Sequence, residues 1–122
     1  MRDIGIGMPA VVVVFSPNTD LTLSGDTVFT LRNADPVLDV NATKNLIAAY
    51  ADPSDQRTPY ASPIYGNFSK GFPPTLIQVG TKEILLSDSS FVSSIRPNGY
   101  TSEVRCLRRD ATCISRLFIQ YT

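Results

Sequence analysis

The sequence contains no histidine among its 122 residues. Imidazole is the side chain whose ordinary pKa, near 6.5, lets it both take and return a proton at neutral pH. A serine or cysteine nucleophile paired with a histidine inside this chain is therefore excluded. Cysteine is scarce too: Cys106 and Cys113 stand seven apart, too few for a disulfide framework and without the paired spacing of a zinc site. No cofactor or metal is expected, and the reducing cytoplasm is the expected compartment. Charge of one sign is also missing, because eleven basic and eleven acidic residues cancel. No net field then steers the chain toward nucleic acid or an anionic membrane. Arg105, Arg108, Arg109 and Arg116 form a local basic cluster, but no aromatic platform interleaves with them, and they read as a solvated face. Finally, Gly5-Ile6-Gly7 runs into Met8-Pro9, so no glycine-rich phosphate cradle opens a helix.

What is present suits one folded domain. With 43% hydrophobic and 18% charged residues, the chain is too apolar for a disordered segment. Its first fifteen residues superficially resemble a secretory leader, with Arg2 ahead of an apolar stretch from Ile4 to Phe15. Asp3 spoils the basic region, Pro9 interrupts the apolar one, and no small-x-small cleavage site follows. At about 20 residues for a membrane-crossing helix, the stretch is also too short. It reads instead as a strand. Ala10 to Phe15 is a continuous β-branched run, as expected for a strand covered on both faces in a parallel sheet. The acceptor patterns Asn41-Ala42-Thr43 and Asn67-Phe68-Ser69 matter only in a secreted protein.

Residues 18 to 38 are rich in Asp, Ser, Thr and Asn and read as connecting structure with one short helix and no core pattern. A helix follows from Asp39, capped by Asp39 or Asn41. Val40, Leu46, Ile47 and Tyr50 form one apolar stripe toward the body, and Asp52-Pro53 stops it. Residues 52 to 73 hold four of the nine prolines and predict an extended loop across the surface. Thr75 to Val79 is a second buried strand, Thr81 to Leu86 a turn, and Ser87 or Asp88 caps a helix to about Ile95. Thr101 to Leu107 is a third strand, and Ile114 to Tyr121 a short closing helix. Strands separated by helices give an α/β fold with about three parallel strands, whose ligands lie beyond the carboxyl ends of those strands.

Several blocks carry a resemblance. Pro9-Ala10-Val11-Val12-Val13-Val14-Phe15-Ser16-Pro17, Thr19-Asp20-Leu21-Thr22 and Ser24-Gly25-Asp26 are followed by Asn33-Ala34-Asp35-Pro36, Ala48-Ala49-Tyr50, Ala61-Ser62-Pro63-Ile64-Tyr65-Gly66 and Phe72-Pro73-Pro74-Thr75-Leu76-Ile77-Gln78-Val79-Gly80. In order and spacing the chain resembles the carboxyl-terminal portion of an α/β-hydrolase of the hormone-sensitive-lipase-like (bacterial type) carboxylesterase family. The resemblance implies a single partial domain over 1–122, without the amino-terminal half. Also absent is the glycine-flanked serine on a strand-to-helix turn that the family uses as nucleophile. It implies that Glu83 is the acid of a Ser, acid, His triad; Asp88, by its place before a helix, reads as a cap and not as a second acid. The resemblance also places Cys113 at or near the histidine position, where a thiol is a poor proton shuttle. From Cys106 onward, CLRRDATCISRLFIQYT departs from the family.

The function implied is hydrolysis of short-chain esters by the intact family enzyme, with this chain inactive alone. The alternative is a degenerate hydrolase domain that binds without catalysing. The strand that should lie beside Ala10–Phe15 is missing, so self-association through that edge is expected.

Overall fold

The computed structural model of this chain describes residues 4–69, 71–94 and 102–107. Three strands, β1 (Val12–Phe15), β2 (Thr75–Gly80) and β3 (Ser102–Leu107), form one parallel sheet in the order β1-β2-β3. Val12 pairs with Thr75 and Phe15 with Gln78; Thr75 pairs in turn with Ser102 and Gly80 with Leu107. Parallel neighbours need a crossover of a dozen or more residues. Here α1 (Thr27–Thr30), α2 (Val40–Tyr50) and a 3₁₀ turn at Pro63–Tyr65 lie between β1 and β2, and α3 (Leu86–Ser94) lies between β2 and β3. The expected α/β fold is the observed one. The closing helix over Ile114–Tyr121 and the position of Cys113 fall outside the described residues.

The sheet's centre is β2. Ile77 and Val79 are fully buried, Gln78 and Gly80 nearly so, which is what the apolar run TLIQV requires. β1 differs from expectation. It is shorter, and only one of its faces is covered: Val12 and Val14 are half-buried, while Val13 and Phe15 are 45% and 47% exposed. Its β-branched run is that of an interior strand, yet β1 stands at an edge.

Asp39 caps α2 as its sequence suggests, with Oδ1 accepting the amides of Asn41 and Ala42 at 2.9 Å each, whereas Asn41 lies inside the helix. The apolar stripe differs. Thr43 and Ile47 are buried and Val40 packs against them, but Leu46 and Tyr50 are 71% and 72% exposed. Residues advance about 100° each around a helix, so Leu46 sits on the flank of the Val40, Thr43, Ile47 face. Tyr50 is the last residue of the helix.

Ile47 meets Leu21, Leu23 and Val28 in a buried cluster, with Ala51 and Ala61 against it. The 18–38 segment, expected to carry no core pattern, thus supplies most of that core; its apolar residues are few but face inward. The 52–73 loop is likewise more tightly held than an extended surface loop. Ser62 is fully buried, accepts the Leu21 amide at 2.8 Å and donates to the Gln56 carbonyl, while the Ile64 amide reaches the Thr19 carbonyl at 3.2 Å.

Candidate acid loop at the carboxyl end of the sheet

The carboxyl ends of β1 and β2 lie side by side, because the Ser16 amide still donates to the Gln78 carbonyl at 2.8 Å. Ser16 then takes a left-handed backbone, φ 42°, which costs a non-glycine residue energy and turns the chain sharply away from the sheet. After β2, Glu83 folds back over the strand end. Its amide donates to the Gly80 carbonyl at 3.2 Å, and its Oε1 accepts the Gly80 amide at 3.0 Å. A Cβ at residue 80 would stand 2.7 Å from that Oε1, so the glycine is what lets the carboxylate lie so close. Glu83 Oε2 is buried and, among the described residues, has no hydrogen-bond partner.

The loop carrying Glu83 is clamped from α1 and the segment behind it. Asp35 Oδ2 accepts the Ile84 amide at 2.9 Å while Oδ1 takes the amides of Val37 and Leu38. The Thr27 hydroxyl donates to the Ile84 carbonyl at 2.7 Å and accepts the Ser87 amide at 2.9 Å. Ile84, which follows the acid, and Ser87 are thus fixed across more than 45 residues of sequence. Sequence reasoning missed these two supports. The Asp35-Pro36 turn held the signal for one of them, since Asp commonly bonds backbone amides two residues on.

Asp88 is not the cap of α3. The helix begins two residues earlier, at Leu86, and the Asp88 carboxylate crosses instead to the β1–α1 connection, where one oxygen, Oδ2, accepts the amides of Thr19 and Asp20 at 3.1 Å each. Burial pushes the Asp88 carboxyl above its usual range; the two amides pull it down, and the nearby Asp20 charge adds to the rise. Asp20 is buried as well, which raises its pKa, but bonds from Ser24 and Thr22 outweigh that and hold it below the usual value. At Gly25 the connection passes close to α3, since a Cβ there would collide with Ser87 Oγ. An open cleft of about 420 Å³ borders this network.

Asp20 accepts from Thr22, Ser24 and Tyr65; Asp35 uses both oxygens on backbone amides; Asp88 holds two amides on one. These groups are engaged in holding loops. Glu83 is half engaged, with one oxygen anchored and the other buried without a donor. A buried acceptor left unpaired costs about 1–3 kcal/mol, a cost that a donor at Oε2 would remove. Asn18 Oδ1, on the loop after β1, is also buried and unpaired among the described residues. Both unmet acceptors follow the carboxyl ends of adjacent parallel strands, the place where such sheets bind ligands. No group of three or more His, Cys, Asp or Glu among the described residues could hold a metal, and no helix among them is long and apolar enough to cross a membrane.

The family with the alpha/beta hydrolase fold matches residues 1–109. A solved hormone-sensitive lipase from a metagenome library is 34% identical, superposes with a TM-score of 0.79, and covers 86% of this chain and 35% of its own. The chain belongs to the hormone-sensitive-lipase-like carboxylesterases. An acetyl-hydrolase of Streptomyces hygroscopicus is 37% identical over 73% of this chain and 29% of its own length. An esterase of Acinetobacter venetianus is 39% identical over 67% and 27%. The chain thus spans about a third or less of the carboxylesterases it matches.

Proposed function

We propose that this chain is the acid-bearing, carboxyl-terminal part of a carboxylic-ester hydrolase and hydrolyses no ester by itself. The supporting observation is the divided carboxylate of Glu83, one oxygen tied to the Gly80 amide and the other buried without a donor. A triad acid needs this arrangement: it must be held by the protein on one side and open to an imidazole N–H on the other. In the complete reaction a serine oxygen attacks the ester carbonyl carbon, and imidazole takes the serine proton and returns it to the departing alkoxide. Water, deprotonated by the same imidazole, then cleaves the acyl-serine to carboxylic acid. Glu83 fixes the imidazole tautomer and stabilises the imidazolium formed in each step. The serine and the imidazole come from residues this chain does not contain, since it has no histidine and no glycine-flanked serine elbow. Cys113 takes no part in the chemistry, and the cytoplasm is the proposed compartment.

The test is an exchange of parts. Residues 9–104 of this chain replace the matching segment of the Acinetobacter venetianus esterase, and release of nitrophenolate from p-nitrophenyl acetate is measured. Hydrolysis within about tenfold of the parent supports the proposal; a folded but inactive chimera contradicts it. The lack of any histidine also supports a second reading for the chain acting alone, as a binding module that has lost catalysis. Thermal stabilisation of the isolated chain by butyrate, without ester turnover, would favour that reading.

A further inference from the structure

Two bonds hold the acid turn from inside: the Glu83 amide donates to the Gly80 carbonyl, and Glu83 Oε1 accepts the Gly80 amide. Bonds this local set the shape of the turn but not its placement against the rest of the molecule. A planar peptide group carries the C=O of one residue and the N–H of the next. Whatever holds the Ile84 N–H therefore sets the direction in which the chain leaves Glu83, and with it the direction of the Glu83 side chain. Ile84 is fully buried, and both of its backbone polar groups are held from far along the chain. Asp35 Oδ2, 49 residues away, accepts its N–H at 2.9 Å, and the Thr27 hydroxyl, 57 residues away, donates to its carbonyl at 2.7 Å.

Each clamp is itself fixed. The other Asp35 oxygen, Oδ1, accepts the Val37 and Leu38 amides at 2.9 Å each, so three donors orient that carboxylate. A hydroxyl has one proton and two lone pairs. With its proton on the Ile84 carbonyl, Thr27 Oγ1 takes the Ser87 amide at 2.9 Å and the Ser87 hydroxyl at 2.7 Å. Among the described residues neither clamp bonds the Glu83 carboxylate, so each reaches it only through the backbone beside it.

We infer that Asp35 and Thr27 are positioning residues for ester hydrolysis: by pinning the Ile84 backbone they hold Glu83 Oε2 where an imidazole N–H can meet it. The inference rests on Glu83 being the triad acid.

The first test uses the full chain. Asp35→Ala should speed hydrogen exchange at the Ile84 amide and at the Gly80 amide, the donor to Oε1, by at least ~10-fold relative to Ile77 and Val79, whose buried strand reports global opening. An unchanged Gly80 amide overturns the inference. The second test uses the chimera carrying residues 9–104. A misplacement of about 1 Å can cost about 100-fold in rate, so Asp35→Ala should lower kcat at least ~10-fold with KM within about twofold, while Asp39→Ala, which weakens α2 away from the acid turn, leaves kcat unchanged. A residue that acts only through the acid has nothing to act on once the acid is gone. Adding Asp35→Ala to Glu83→Gln should then change kcat less than ~2-fold. Losses that multiply instead would make Asp35 a support of the fold alone and overturn the inference. Where Asp35→Ala leaves the chimera unfolded, Thr27→Val carries the same cycle, and Thr27→Ser, which keeps the hydroxyl, should lose less. A chimera that loses kcat with Glu83→Gln but keeps it with Asp35→Ala sinks this inference alone; one that keeps it with Glu83→Gln sinks the acid assignment too.

Discussion

β1 and β2 are adjacent, parallel and similar in sequence, VVVF against TLIQVG, yet they end in opposite circumstances. Ile77 and Val79 in β2 are wholly buried, while Val13 and Phe15 in β1 are nearly half exposed. The difference lies in neighbours. β2 has a strand on each side and packs against α3, whereas β1, among the described residues, has a strand on one side. An apolar run reports the cover a strand is built for, and among the described residues one face of β1 has none. The loops following the two strands are tied down by buried bonds, while among the described residues the outer edge of β1 has no neighbouring strand.

The largest effect that sharpens this contrast is expected from paired core deletions. Ile77→Ala should cost about 2–5 kcal/mol of unfolding free energy, as for other buried aliphatic truncations. Val13→Ala, on the bare face, should cost under about 1 kcal/mol. Urea denaturation of both variants measures the difference; equal losses would mean that β1 is covered in solution.

Next comes the bond network that joins the β1–α1 connection to α3. Asp88→Ala leaves the Thr19 and Asp20 amides buried without an acceptor and should cost about 2–4 kcal/mol. Asp88→Asn should cost under about 1 kcal/mol, because both amides use one oxygen that an amide carbonyl can replace. The asparagine variant also isolates a pH effect. Asp88 is raised above the usual 3.8 by burial, so the native state holds its proton more tightly than the unfolded one. Its contribution to stability is therefore full at low pH and declines as pH rises from 3.8 through the raised value. Asp20 is lowered, so its contribution is present above 3.8 and is lost as pH falls below it. Wild type should thus lose stability relative to D88N as pH rises above 3.8; a difference independent of pH would contradict the burial argument. The smallest effect is at α2, where Asp39→Ala should cost about 1 kcal/mol through loss of the cap, read by the same denaturation.

Much of this was legible in the sequence. The three strands, the cap at Asp39 and the parallel order follow from short apolar runs set between turn signals, and the carboxylesterase family from the order of the blocks. The core role of Leu21, Leu23 and Val28 was hidden because a few inward residues in a polar stretch carry no period. Likewise Leu46 and Tyr50 match a helical stripe whose width the sequence overstated. The Asp88 crosslink was invisible for a different reason: it spans nearly 70 residues, and local capping rules describe only near neighbours. The candidate acid was reached through resemblance, and its half-satisfied carboxylate became visible only with the Gly80 amide and the buried Oε2 in place.

The central claim, that Glu83 is the acid that orients an imidazole, is tested most directly in the chimera carrying residues 9–104, by comparing Glu83→Gln with the unmodified chimera. Loss of a triad acid lowers kcat by up to about 10⁴ with geometry intact. The account predicts a fall of at least ~100-fold in kcat with KM little changed, while Asp88→Asn stays near the unmodified rate. A Glu83→Gln chimera that is folded and keeps its kcat would contradict the account.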